Sequence, residues 1–243
     1  MWTPTALASE SRLKSGTAWR VVEFQHAAST RKLVETKDDQ ELLEDILEIS
    51  KPPIAQGTEG LHYLLKTPFR YNTPYPVGSR FRRAGMTEGV FYTSGEIRTA
   101  LAETCYYRLR FFKESPDTVL PRQQERLTVF SVNYESHQTI DLTRAPFVKD
   151  REKWIHPSDY QSTQAFAEIS REANIQIICY ESARDLERGM NLALLSPSAF
   201  KSKKPNTQQT WFLYMSKAEV NCERANANSK KDQWTFKREQ FVI

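Results

Sequence analysis

The chain has 243 residues, of which 39% are hydrophobic and 12% aromatic, a composition that excludes a disordered protein and allows a substantial core. Its 34 basic and 30 acidic residues give a net charge of +4, which does not require a nucleic-acid partner and is compatible with an anionic small molecule. No apolar run is long enough to span a membrane, and the three cysteines lack zinc or disulfide spacing, so we expect a cytoplasmic protein with reduced thiols.

The first part of the chain is predicted to hold a strand, a helix and a long loop. Residues 1–16 lack the apolar core of a signal peptide and are expected to be a loose leader before one domain over 17–243. β-Branched and aromatic residues predict a strand over 17–24, and apolar residues at helical spacing predict a helix over 38–49. Residues 67–89 are rich in proline, glycine, arginine and aromatic residues, which predicts a loop suited to contacts with anions and rings.

The rest of the chain is predicted to consist mainly of strands. A strand over 89–93 leads into a helix from about 96 to 112, with Thr93 and Glu96 as a capping box. A further helix is predicted over 162–173. Strands or extended segments are predicted over 127–134, 140–143, 175–180, 191–195, 210–215 and 234–243. Because strands come in runs, the predicted fold class is α+β, a single compact domain with helices flanking a central, mostly antiparallel β-sheet.

Common catalytic motifs are absent from the sequence. There is no G-x-G-x-x-G, no P-loop and no H-E-x-x-H, and the four histidines are isolated, so neither a Rossmann nucleotide site nor a metal site is supported. The Y-E-S-A-R segment at 180–184 is not a G-x-S-x-G elbow, and no histidine stands in a recognisable partner position. Ser182 is therefore not predicted to be a nucleophile.

Two arginines and two tyrosines in or near the 67–89 segment are candidates for ligand binding. Arg70 and Arg80 carry guanidinium groups that bind phosphate oxygens two at a time, which suits a pyrophosphate. Tyr71 and Tyr92 offer rings for stacking on nicotinamide or adenine. The ordinary alternatives are surface ion pairs for the arginines and core packing for the tyrosines.

Glu103 is the candidate acid. At 100° per residue it falls nearly opposite the apolar face of its predicted helix, so a solvated carboxylate is the simple interpretation. The small residues Thr99 and Ala100 would nevertheless let a ligand approach, and a carboxylate there would stabilise a ribosyl cation. Ser182 follows a predicted buried strand, where it is either a turn hydroxyl or a group that orients a nicotinamide amide or a phosphate.

These residues lie in segments that together resemble the RES-domain family, named for Arg, Glu and Ser. In family order the segments are W19-R-V-V-E23, H62-Y-L-L-K-T-P-F-R-Y71, G78-S-R-F81, Y92 to E103, D141-L-T143, Y180-E-S-A-R184 and T210-W-F-L-Y214. The match runs from about residue 17 to the C-terminus. The sequence departs from the family pattern at Cys179, where an arginine is expected before the Y-x-S element.

The resemblance implies a compact α+β domain similar to ADP-ribosyltransferase toxins, with NAD⁺ as the substrate. The family is known mainly as toxins of bacterial toxin–antitoxin pairs, which hydrolyse or phosphorolyse NAD⁺ or transfer ADP-ribose to a protein. It also implies a helical antitoxin of the Xre-like helix-turn-helix type and, often, toxin homodimers. By position, the family's site residues correspond to Arg70, Tyr71, Arg80, Tyr92, Glu103 and Ser182.

The leading hypothesis is a toxin that cleaves NAD⁺ at its nicotinamide–ribose bond. The two arginines would hold the diphosphate, the two tyrosines would form the walls of the nicotinamide pocket, Glu103 would stabilise the ribosyl cation and Ser182 would orient the substrate. Transfer of ADP-ribose to a protein is a second hypothesis, since it involves the same cation. A third is an RNA-binding or RNase-type toxin that uses the basic, aromatic segment 67–83, although the small net charge disfavours it.

Overall fold

One eight-stranded β-sheet organises the computed structural model, which describes residues 2–24, 34–71, 77–86, 88–226 and 232–241. The strands are β1 (Arg12–Glu23), β2 (Phe91–Ser94), β3 (Glu125–Asp141), β4 (Ile177–Glu181), β5 (Met190–Leu194), β6 (Thr207–Met215), β7 (Glu219–Arg224) and β8 (Gln233–Lys237). The helices are α1 (Pro4–Glu10), α2 (Lys37–Ser50), α3 (Tyr63–Arg70), α4 (Ile97–Glu114), α5 (Arg151–Trp154) and α6 (Gln161–Glu172).

The sheet closes on itself at one end. Its strand order is β1-β2-β5-β4-β3-β6-β7-β8, and β1 also pairs with β3, so the first five strands form a ring from which β6, β7 and β8 extend. Every pairing is antiparallel except β3 with β4. The ring places Ser94 of β2 opposite Asn191 of β5, which in turn lies opposite Tyr180 of β4. Three polar side chains from distant parts of the chain therefore lie side by side.

Helix α4 joins this part of the ring to the extended strands. Leu101, Cys105 and Leu109 follow at four-residue spacing, and all three are buried in a cluster with residues of β3, β6, β7 and β8. Burial of a large aliphatic side chain such as leucine contributes about 1.5–3 kcal/mol, so this apolar face fixes the position of the helix. The opposite face of α4 is thereby held towards β2 and β5.

The predicted α+β class and the mostly antiparallel central sheet are confirmed. The helices predicted over 38–49, 96–112 and 162–173 correspond to α2, α4 and α6 with ends shifted by one or two residues. The segment predicted over 127–134 and the first two residues of the one predicted over 140–143 belong to one strand, β3, which is long enough to pair with β6 near its start and with β4 at its end. Strand β7 was not predicted, because only Val220 and Cys222 mark its buried face between polar residues.

The segment expected to be a loose leader, residues 1–16, is structured over its described residues. It contains α1 and the first residues of β1. Thr3 caps α1 by accepting a hydrogen bond from the backbone N–H of Ala6, and Pro4 takes the first helical position. Leu7 is fully buried in a cluster with Phe147 and Phe166. The prediction failed because a seven-residue helix with a single buried residue leaves almost no periodic signal.

Two local predictions around the site are also corrected. The 67–89 segment does not begin as a loop: α3 runs to Arg70 through Pro68, because Leu64, Leu65 and Phe69 are buried in the core. Residues 72–76 and 87 of the segment lie outside the described residues. The capping box is absent, because Glu96 is the N-cap of α4 without a side-chain cap, whereas the Thr93 hydroxyl donates to the Trp19 carbonyl across the sheet.

Candidate functional site

A cavity of about 460 Å³ lies between α3, α4, the end of β2 and the segment 77–82. Its lining combines tyrosine rings with cations. The tyrosines are Tyr71, Tyr92, Tyr107, Tyr160 and Tyr180, and the arginines are Arg20, Arg80, Arg82, Arg110 and Arg184. Among the described residues of this lining, Glu103 is the one carboxylate. An anion with flat rings matches such a surface, since guanidinium groups attract charge and aromatic faces support stacking.

Glu103 faces this cavity rather than bulk solvent. Its Oε1 accepts hydrogen bonds from Ser182 Oγ at 2.7 Å and from Asn191 Nδ2 at 2.6 Å. Neither of these contacts uses Oε2, so that oxygen is available to a ligand. The simple interpretation of a solvated carboxylate fails because α4 is packed on two sides, with its apolar face on the extended strands and its Glu103 face on β5 and the loop after β4.

Ser182 acts on Glu103 and is not itself part of the described cavity lining. The residue is buried, and its Oγ accepts the backbone N–H groups of Arg184 and Asp185, each at 3.1 Å. The hydroxyl hydrogen is then directed to Glu103. With its one donor and both lone pairs engaged, Ser182 holds the carboxylate instead of contacting a nicotinamide or a phosphate directly.

Asn191 completes this polar row and was not among the predicted site residues. Its side-chain oxygen accepts from Ser94 Oγ at 2.6 Å while its amide donates to Glu103. The residue is buried on β5, where asparagine is uncommon. Asn191 is the second residue of β5, whose other residues are all apolar, and this departure from strand preference is the sequence signal that marks it.

Arg80, a predicted diphosphate ligand, lines the cavity. It is 8% exposed, and its guanidinium donates to the carbonyl oxygens of Trp154 and His156 at 2.6 and 3.0 Å. The group also lies over the Tyr160 ring, 4.9 Å from its centroid. These acceptors are neutral, so they orient the guanidinium without cancelling its charge.

Arg184 is a second buried cation in the lining and was not predicted as a site residue, although it ends the Y-E-S-A-R motif. It donates to the Pro157 carbonyl and to the Tyr160 hydroxyl, and its guanidinium carbon lies 3.5 Å above the Tyr106 ring centroid. Arg80 and Arg184 therefore share Tyr160 as a neighbour. A pair of buried cations at one cavity wall is costly unless an anion joins them.

Arg20 supplies a third cation, from β1. It donates to the Tyr92 carbonyl at 2.7 Å and lies over the Phe91 ring, and burial lowers its pKa to about 10, so it is still charged at neutral pH. Its Nε is buried without a hydrogen-bond partner. Within the described parts of the chain, no carboxylate lies within ion-pair distance of Arg20, Arg80 or Arg184.

The two predicted tyrosines both reach the cavity, in different ways. Tyr71 is 37% exposed at the end of α3, so its ring lies at the rim. Tyr92 lies deeper, and its hydroxyl contacts Ser79 Oγ at 2.8 Å and accepts the Phe81 backbone N–H at 2.9 Å. Burial raises the pKa of Tyr92, so it stays protonated and holds the segment that presents Arg80.

Arg70 and Cys179 do not line the cavity. The Arg70 side chain turns to α2, where it pairs with Glu48 at 2.6 Å and donates to the Pro52 carbonyl at 2.6 Å. Cys179 is fully buried within β4, where burial raises its pKa to about 12. The departure from the family pattern at position 179 therefore places an apolar, unreactive thiol in the core.

The described residues offer neither a cluster of metal ligands nor a membrane-spanning helix. Within the described residues, no group of three or more His, Cys, Asp or Glu side chains is placed to hold a metal ion. No helix in the described ranges combines the length and apolar character needed to cross a bilayer.

Comparison with known proteins places the chain in a family. The family model described as the RES domain matches residues 54–215, about two thirds of the sequence, and no curated protein gives a significant match. A chain in the crystal structure of the M. tuberculosis MbcT-MbcA toxin-antitoxin complex is similar at 12% identity and a TM-score of 0.48, covering 85% of this chain and 91% of that chain. Since the family model spans more than half of the sequence and includes Glu103 and Ser182, this protein belongs to the RES-domain family.

Proposed function

We propose that this RES-domain protein is a toxin that consumes NAD⁺ by breaking the bond between nicotinamide and ribose. The observation that carries the proposal is the cavity itself, whose lining brings Glu103 together with Arg20, Arg80 and Arg184, three arginines with no described carboxylate at ion-pair distance. A dinucleotide supplies the two groups that this arrangement lacks: a diphosphate for the cations and a ribose for the acid.

The chemistry needs no nucleophilic side chain. The C1′–N bond breaks with its electron pair going to the pyridinium nitrogen, so nicotinamide leaves as a neutral molecule and C1′ becomes an oxocarbenium ion. Glu103 would stabilise that cation and accept hydrogen bonds from the ribose hydroxyls through Oε2, while Ser182 and Asn191 hold Oε1. Water then adds to C1′ and releases a proton, or inorganic phosphate adds in its place.

Substrate binding would fall to the arginines and tyrosines of the lining. Arg80 and Arg184 would bind the diphosphate together, and their shared neighbour Tyr160 supports this role. Tyr92, deep in the cavity, and Tyr71, at its rim, would contact the two sides of the nicotinamide ring. We assign no direct substrate contact to Arg70, because its guanidinium is already held by Glu48 and Pro52.

The acceptor of the ribosyl group separates two versions of the proposal. A glycohydrolase or phosphorylase gives only small products, whereas a protein ADP-ribosyltransferase leaves the label of adenine-labelled NAD⁺ on protein. The RNA hypothesis gains little from the structure, because Arg70 and Arg83 of the basic segment pair with Glu48 and Glu168, and Arg80 is buried.

The family assignment also supports a proposal about partners. We expect an Xre-like helix-turn-helix antitoxin that blocks the cavity, a homodimer as the toxin's own assembly, and action in the cytoplasm, where NAD⁺ is available. No membrane contact, direct nucleic-acid contact or metal cofactor enters the proposed reaction.

The test is NAD⁺ consumption by the purified protein and in cells after induced expression. Glu103→Gln keeps the shape of the side chain but removes its charge, and we expect it to lower NAD⁺ consumption by about 100-fold or more while the protein melts as the wild type does. Glu96→Gln is the matched control and should keep full activity, because Glu96 is exposed, lies about two turns before Glu103 and makes no side-chain cap. Equal NAD⁺ loss in the Glu103→Gln and wild-type proteins would exclude the proposed role of the acid.

A further inference from the structure

The loop between β4 and β5 is anchored to α4 by a buried carboxylate outside the cavity lining. Asp185 is 4% exposed, and it accepts hydrogen bonds from Arg98, from Thr99 Oγ1 at 2.8 Å and from the Glu187 backbone N–H at 3.1 Å. Arg98 and Thr99 belong to the first turn of α4. Two of these three donors belong to α4, so the carboxylate joins the loop to one turn of the helix.

That turn lies directly before Glu103. Thr99 and Glu103 are four residues apart, so they share one face of α4. On the loop, Ser182 and Asp185 are joined because the Asp185 N–H donates to Ser182 Oγ at 3.1 Å. The loop and the helix are therefore connected at two successive points, Asp185 on Thr99 and Ser182 on Glu103.

Gly189 shows how closely the two elements approach. A Cβ atom at this position would lie 2.0 Å from Thr99 Oγ1 and 2.9 Å from Asp185 Oδ2, so any side chain there would displace the hydrogen-bonded pair of Thr99 and Asp185. The Gly189 carbonyl also accepts the Ser182 N–H at 2.8 Å. The contact between Thr99 and Asp185 therefore leaves no room for a side chain at Gly189.

We propose that Asp185 is a positioning residue for the acid of the site, a role that rests on the proposed function. By fixing the loop on Arg98 and Thr99, it holds Ser182 in hydrogen-bond contact with Glu103 Oε1 and so directs Oε2 of that carboxylate to the ribose. Asp185 does not touch the substrate. Its effect reaches the reaction only through the orientation of Glu103. Substitution of Asp185 should therefore lower kcat and leave substrate binding unchanged.

The first test compares two substitutions of Thr99, the residue of α4 whose hydroxyl donates to Asp185. Thr99→Val removes the hydroxyl in the same volume, whereas Thr99→Ser keeps it. We expect Thr99→Val and Asp185→Ala to lower kcat for NAD⁺ consumption by about 10- to 100-fold with KM within about twofold of wild type, and Thr99→Ser to keep most of the activity. An unchanged kcat in Thr99→Val, or an equal loss in Thr99→Ser, would overturn the proposal.

A double-mutant cycle separates positioning of Glu103 from a general loss of structure. In the Glu103→Gln background, Thr99→Val should reduce the remaining activity by no more than about twofold, since the carboxylate that it orients is already gone. If Thr99→Val lowers activity as much in the Glu103→Gln background as in the wild type, the contact between Thr99 and Asp185 does not act through Glu103, and the positioning role is overturned.

Hydrogen exchange gives a measurement that does not depend on activity. The backbone N–H of Arg184 donates to Ser182 Oγ, and that of Arg188 to the Asp185 carbonyl, so both should exchange about tenfold faster in Asp185→Ala than in wild type while the β5 amides keep their rates. Unchanged exchange would show that Asp185 does not hold the loop. If wild-type protein does not consume NAD⁺ at all, the proposed function fails first; if it does and Thr99→Val keeps kcat, only the positioning role fails.

Discussion

The electrostatic character of the cavity depends on which acceptor each arginine finds. Arg70 and Arg83 meet carboxylates, which cancel their charge, whereas Arg80 and Arg184 meet backbone carbonyls and tyrosine rings, which do not. A buried cation with neutral neighbours attracts an anion much more strongly than a solvated one, because little water screens it. Arginine content alone therefore says less than the identity of each partner.

Arg20 tests whether a buried cation with neutral neighbours binds the substrate. It lies outside the span matched by the family model, so its role is argued from its contacts alone. We expect Arg20→Gln to raise KM for NAD⁺ about tenfold with little change in kcat, since a charge-assisted hydrogen bond to the substrate is worth about 1.5–3 kcal/mol. Steady-state kinetics measure both constants. Arg126→Gln is the control, because Arg126 lies over Phe24 and Phe212 and does not line the cavity. An unchanged KM in Arg20→Gln would remove this cation from the binding site.

At the scale of single elements, burial outweighs local preference in α1 and α3. Proline in the sixth position of α3 predicts a helix end, yet the helix continues because three apolar side chains of that segment are buried. Likewise α1 is too short to be stable alone and is held by the cluster around Leu7. The sequence could not reveal either element, because the stabilising contacts come from other segments of the chain, such as Phe147 and Phe166 for α1 and Phe91 and Phe130 for α3.

The N-terminal helix is expected to contribute directly to stability. Leu7→Ala should lower the free energy of unfolding by about 2–5 kcal/mol, because it leaves a cavity between α1 and the core cluster. Urea denaturation measures the change. The neighbouring exposed change Thr5→Ala should stay within about 0.5 kcal/mol of wild type. Equal stability of the Leu7→Ala and wild-type proteins would mean that α1 is not docked in solution.

For the molecule as a whole, buried tyrosines make folding sensitive to alkali. Burial raises the pKa of Tyr180 well above the usual value of about 10, so the unfolded chain loses this proton at a pH where the folded protein keeps it. Stability from this group is complete below pH of about 10 and falls as the pH rises beyond it.

We therefore expect the free energy of unfolding to decrease between about pH 9 and 11, and to decrease less steeply in Tyr180→Phe. Denaturation curves at several pH values test this expectation. Tyr214→Phe, at a side chain that is 46% exposed, should keep the wild-type slope. A Tyr180→Phe protein with the wild-type slope would show that Tyr180 ionises alike in both states.

The sequence by itself determined the family, the α+β class and the helices α2, α4 and α6. Hydrophobic periodicity and short motifs are local properties, so they can be read from the order of residues alone. It also singled out Glu103 and Ser182, but not that the serine serves the acid, and not that Arg70 turns away to Glu48. Those contacts join residues 79 and 22 positions apart, respectively. Only the closed ring of strands and the packing of α4 decide which side chains share a cavity, since proximity in space is set by the buried core and not by spacing along the chain.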